Sequence, residues 1–92
     1  GGRRENPGMY LNIGKAFLIR TESILGIFDL DSASQSFLTR EFLSAAEKAG
    51  RVINASEDIP NSFLLCEEPD GVRVYLSQST SRTLWKRNDQ LL

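Results

Sequence analysis

The stretch from Ser62 to Ser77, SFLLCEEPDGVRVYLS, decides the fold class. Its middle, Glu68-Pro69-Asp70-Gly71, is a hairpin turn, in which proline presets φ and glycine supplies a positive-φ position. After the turn, Val72, Val74 and Leu76 alternate with Arg73, Tyr75 and Ser77, the period of a strand with two unlike faces. Before it, Ser62 to Glu67 reads as a strand of similar length. The two should form an antiparallel pair.

Toward the N-terminus lies Gly50, where a left-handed helix cap would sit, and before it an amphipathic helix. Phe37, Leu38, Phe42, Leu43, Ala45, Ala46 and Ala49 recur at helical spacing, and Ser34 or Ser36 can cap the first turn. Ile24 to Leu30 is the most apolar segment. It reads as a buried strand with a bulge or a close backbone approach at Gly26. Thr21-Glu22-Ser23 is a polar break. Met9 to Ile13, ending at Gly14, and Ala16 to Arg20 read as two more strands. Arg51 to Ala55 is a strand after the helix, and Ser56 to Asn61 is a loop. Past the hairpin, Gln78 to Ser81 offers caps for a short helix over Thr80–Arg87, burying Leu84. Residues 88–92 read as a fraying tail. The order βββ-α-βββ-α, with strands joined by short turns and helices packed on the sheet, is α+β, a small antiparallel sheet-rich domain.

Residues 1–8, GGRRENPG, hold no apolar residue and precede Met9. They read as a leader foreign to the domain, or else as a natural basic arm, leaving 9–92 as a single domain. The chain carries 11 Lys+Arg against 12 Asp+Glu, a net −1. Without Arg3, Arg4 and Glu5 the balance is 9 against 11, or −2. Neither value draws the whole molecule to nucleic acid or anionic membrane. Apolar runs stop at four or five residues, too short for a membrane span. One Cys cannot close an internal disulfide and suits a reducing compartment. The absence of His excludes imidazole catalysis and His-ligated metals.

Few residues suggest chemistry. Asp29 and Asp31 could chelate a hard cation, but the simpler reading is that they cap the helix that follows. Glu57-Asp58 and Glu67-Glu68-Asp70 read as solvated turns. Cys66 in an apolar strand lacks a basic partner and reads as core. No catalytic residue, cofactor or metal is expected. Phosphate contact needs several converging cations. Arg20, Arg51, Arg73, Arg82, Lys86 and Arg87 are the candidates for DNA, with Arg82 and Lys86 one helical turn apart. A symmetric oligomer would repeat such a patch around its axis. Trp85, with Leu84 and Tyr75, is the candidate contact between copies.

MYLNIG (Met9–Gly14), ILGIFDLD (Ile24–Asp31), TREFL (Thr39–Leu43) and GRVINASEDIPNSFLLCE (Gly50–Glu67) together resemble the RemB-type extracellular matrix regulators. The resemblance covers about Met9 to Arg87. It implies a cytoplasmic bacterial regulator of matrix and biofilm genes, an α+β domain that assembles into ring-like homo-oligomers. In the related RemA branch, repeated basic loops contact the DNA backbone. This chain departs from that branch in two places. The loop after the GRVINA strand reads Ser56-Glu57-Asp58-Ile59-Pro60 where RemA-like chains are arginine-rich. The polar break carries Glu22-Ser23 where they place a base. Acid in place of base repels phosphate. DNA contact would then fall to the six cations named above, and the rival expectation is an oligomer that binds a protein partner and no DNA.

Overall fold

The computed structural model describes residues 10–14, 16–33 and 36–90. The leader 1–8, Met9, Ser34 and residues 91 and 92 lie outside the described residues. Two short strands, β1 (Tyr10–Gly14) and β2 (Phe17–Arg20), pair antiparallel. A 3₁₀ turn over Thr21–Ser23 leads to β3 (Ile24–Asp29), the short helix α1 (Leu30–Ala33) and the helix α2 (Phe37–Lys48). Then follow β4 (Val52–Asn54), β5 (Ser62–Glu68), β6 (Gly71–Ser77) and α3 (Ser81–Gln90). The class is α+β, as expected. The strands form two sheets, β1-β2 and β3-β5-β6-β4. Three of the strand pairs are antiparallel, and β4 runs parallel to β6. The parallel pair arises because residues 55–61 cross over the end of β6 before β5 begins, and β6 returns into the gap between β5 and β4.

Register explains the core. Ile27, Leu64, Tyr75 and Ile53 align across all four strands of the larger sheet. With Cys66, this row faces Leu11, Ile13 and Ile19 of the β1-β2 hairpin, Ala55, and Leu84 of α3. The Ser77 hydroxyl donates to the Ile13 carbonyl at 2.7 Å, joining the two sheets. The hairpin also comes very close at Gly14, where an added Cβ would meet the Ala55 carbonyl oxygen at 2.3 Å. Only glycine fits that approach.

The helix termini follow their sequence signals. Ser36 caps α2 by accepting from the Thr39 amide at 3.4 Å. At the other end Gly50 has φ +72°, its amide donates to Glu47, and the Arg51 amide donates to Ala46. That is the Schellman arrangement, which satisfies two carbonyls a helix end leaves open. The expected irregularity in β3 is a register shift between Ile24 and Gly26. α3 differs from expectation. It runs to Gln90, past Arg87, since Asn88, Asp89 and Gln90 include no glycine or proline to stop it.

Candidate functional site

Four of the six candidate cations are engaged within the protomer. The Arg51 guanidinium grips Asp70 with two hydrogen bonds, 2.8 and 3.2 Å, and donates to the Val72 carbonyl at 3.1 Å. Arg73 donates to Glu68 at 2.8 Å and reaches Asp70 at 3.5 Å. Tyr75 donates its hydroxyl to the other Glu68 oxygen. Arg20 pairs with Glu22. Arg87 donates to the Asn12 carbonyl at 2.6 Å, tying α3 to β1. Beside that bond lies a polar cavity of about 440 Å³, whose lining includes Asn12, Glu57, Gln78 and Arg87. Arg82 and Lys86 are exposed on α3, and neither has a hydrogen-bond or ion-pair partner among the described residues. Arg82 and Lys86 are thus the two of the six candidates without such a partner. A phosphate backbone would have to displace carboxylates from Arg51 and Arg73.

The network on the hairpin shifts its members in opposite directions. The two hydrogen bonds from Arg51 hold the Asp70 carboxyl down at about 2. The same contact raises the Arg51 guanidinium. Burial, then the Glu68 carboxylate, push the Tyr75 phenol up to about 12. Burial raises the Cys66 thiol to about 11. A thiol held neutral near pH 7 is a poor nucleophile, as its place in the core implies.

Asp29 is spent on structure, though on a different helix from the expected one. It faces the start of α3, where one oxygen accepts from the Ser81 amide and the other from the Ser81 hydroxyl, both at 2.8 Å. Asp31 lies exposed on α1. Among the described residues, no group of three or more His, Cys, Asp or Glu side chains could hold a metal ion.

The second face of the larger sheet is where surface remains. Phe28, Phe63 and Leu76 align on it, with Leu65, Val74 and Val52 in the adjoining row. Phe28 and Phe63 stack with ring centroids 5.2 Å apart. α2 lies over this face without closing it, and none of its residues is buried. An apolar groove of about 260 Å³ stays open, lined by Phe28, Leu38, Thr39, Phe42, Phe63 and Leu65. Leu38 is 77% exposed and Phe37 64%. The helix expected to pack on the sheet keeps its apolar stripe largely at the surface. A signal was present in β5, where Phe63 to Cys66 is apolar at both parities. Such a strand is covered on both faces, so one amphipathic helix had to screen a whole second face.

Of the residues expected at a contact between copies, Leu84 is fully buried and Tyr75 nearly so, both in the protomer's own core. Trp85 is 48% exposed, on the same face of α3 as Arg82 and Lys86. Ile59, read from sequence as part of a solvated loop, is 76% exposed at the loop's tip. No period in its local sequence marks that exposure.

No family model matches the chain. It is 32% identical over 79 residues to extracellular matrix regulatory protein B of Bacillus subtilis (strain 168), a span of 86% of this chain and 89% of that protein.

Proposed function

The chain belongs to the family of extracellular matrix regulatory protein B, and from that premise we propose that it controls extracellular matrix and biofilm genes as a non-enzymatic homo-oligomer inside the bacterial cell. Its working part is a surface repeated by assembly. One observation carries this reading: the apolar groove between α2 and the sheet, with Leu38, Phe37 and Phe42 exposed around it. Exposed apolar side chains grouped around a groove are the usual mark of an interaction site. Removing one such side chain from water contributes about 1.5–3 kcal/mol, and several together offset the cost of association. None of the described helices is long and apolar enough to cross a membrane.

Its regulatory contact fits a protein better than DNA. Arg51 and Arg73 are held by carboxylates, and Glu57-Asp58 occupies a loop that a phosphate-binding relative would make basic. A second reading, direct DNA contact, is favoured by Arg82 and Lys86, which are open on one face of α3. Light scattering beside a gel shift tests both. The expected result is a mass several times the 10.3 kDa protomer, with no duplex shift at low salt. A 10.3 kDa particle at about 100 μM would overturn the assembly. A duplex shift that falls steeply with salt would favour the second reading, since counterions are released on phosphate contact.

A further inference from the structure

We propose that Asp58 and Ile59, at the tip of the loop between β4 and β5, dock on the Arg82–Trp85–Lys86 face of α3 in a second copy of this chain. The inference rests on the assembly reading above and names a contact that assembly uses.

The loop is braced to hold its tip out. Asn54 Oδ1 accepts from the Ser56 amide at 2.9 Å. The Ser56 hydroxyl lies between that same oxygen, at 2.6 Å, and the Asp58 carbonyl, at 2.8 Å. The Glu57 amide donates to Gln78 Oε1 at 3.3 Å. Beyond the tip, Asn61 donates its side-chain amide to the Gln78 carbonyl at 2.6 Å and its backbone amide to Ser77 at 2.8 Å. Pro60 fixes φ between them. A loop secured at both ends could have turned its one apolar side chain inward. It presents Ile59 to solvent instead, with 76% exposed, and the neighbouring Asp58 carboxylate has no partner among the described residues. A tip already held in place loses little freedom on docking.

The receiving face is equally fixed. Asp29 and Thr80 cap α3, buried Leu84 seats it, and Arg87 ties its far end to Asn12. Arg82, Trp85 and Lys86 therefore lie on one exposed face of the helix, an aromatic surface beside two cations. The chemistry matches the loop group for group: the Ile59 side chain against the indole, the Asp58 carboxylate against the two cations. Buried tryptophans carry a large share of binding energy at interfaces, and opposite charges around them set register. Within one protomer Ile59 and Trp85 both remain exposed. Each copy thus carries a tip and a seat, and any copy can engage another through both. Two cations beside an acidic loop make a poor phosphate track by comparison.

The chain has one Trp, so indole emission reports this contact directly. Diluting wild-type protein should shift the emission to the red as the indole returns to water. Asp58→Lys and Ile59→Ser should each abolish the dilution shift and raise the apparent dissociation constant about tenfold, the equivalent of about 1.4 kcal/mol. Arg82→Glu with Lys86→Glu should weaken assembly similarly, and an equimolar mixture of that double variant with Asp58→Lys should recover mass by light scattering. Circular dichroism melts confirm that each variant is folded. Variants that keep both the wild-type mass and the dilution shift would overturn the contact while leaving assembly intact. A monomeric wild type would overturn the assembly reading and this contact with it. A double variant of unchanged mass that loses a duplex shift would assign the face to DNA.

Discussion

Asp70 shows how much one side chain can settle. It closes the turn between β5 and β6, and Arg51 holds it from the far edge of the sheet with two hydrogen bonds. Its folded carboxyl, at about 2, lies below the ordinary 3.8. The ionised form therefore stabilises the fold above the ordinary value. That contribution shrinks as pH falls below it and is lost as pH falls through about 2. Urea midpoints of wild type and Asp70→Asn, measured from pH 6 down to pH 2, should converge as the solution becomes acidic. Curves that stay parallel would refute the assignment. The turn itself is legible in Pro69, Asp70 and Gly71, and Gly71 takes φ +126°. The arginine that grips it is not. Arg51 is 19 residues away in sequence, and only the parallel pairing that sets Val52 against Val74 brings it close. Local patterning reports turns well because their cause is local. An ion pair made by sheet topology has no local trace.

The same division runs through the elements. Apart from α3, which runs three residues past its expected end, the expected helix and strands form within a residue or two of their expected bounds, and Ser36 and Gly50 mark the ends of α2 by local capping. Two facts about elements stay hidden in the sequence. The first is which helix Asp29 serves. Its sequence neighbour is α1 and its target is α3, because the end of β3 abuts the start of the third helix across the sheet. Asp29→Ala removes both acceptors of Ser81 and the negative charge at that helix start. It should cost about 2 kcal/mol, in the range of a lost charged cap. For a domain of this size that is a fall of about 10 °C in Tm. Calorimetry beside the Asp31→Ala variant checks it, since exposed Asp31 should cost little. Equal losses would mean both acids act through general charge. The second hidden fact is the open face of α2. A stripe at helical spacing has the same appearance whether a protomer's own core or another molecule covers it.

At the scale of the whole molecule, burial within one copy and burial between copies must be told apart, and Leu38 does so. It lies on the groove wall yet is 77% exposed, so the folded protomer draws little stability from it. If assembly covers the groove, Leu38 leaves water only there, at roughly 1.5–3 kcal/mol per contact. Leu38→Asp should therefore separate two quantities that a core substitution moves together. Its mass by light scattering should fall toward 10.3 kDa at concentrations where wild type is assembled. Its dilute-protein melting temperature, where wild type is also dissociated, should stay within a few degrees of wild type, as exposed substitutions typically do. Ala in place of Leu64, which is wholly buried, supplies the contrast, since it should cost about 2–5 kcal/mol in the protomer at any concentration. A Leu38→Asp protein that melts early when dilute would show that α2 is needed to hold the sheet. One that stays fully assembled would show that the groove faces solvent in the oligomer. The net charge of −1 points the same way as the groove. A near-neutral domain has little long-range repulsion between copies to overcome, so short-range apolar surface can decide whether they associate.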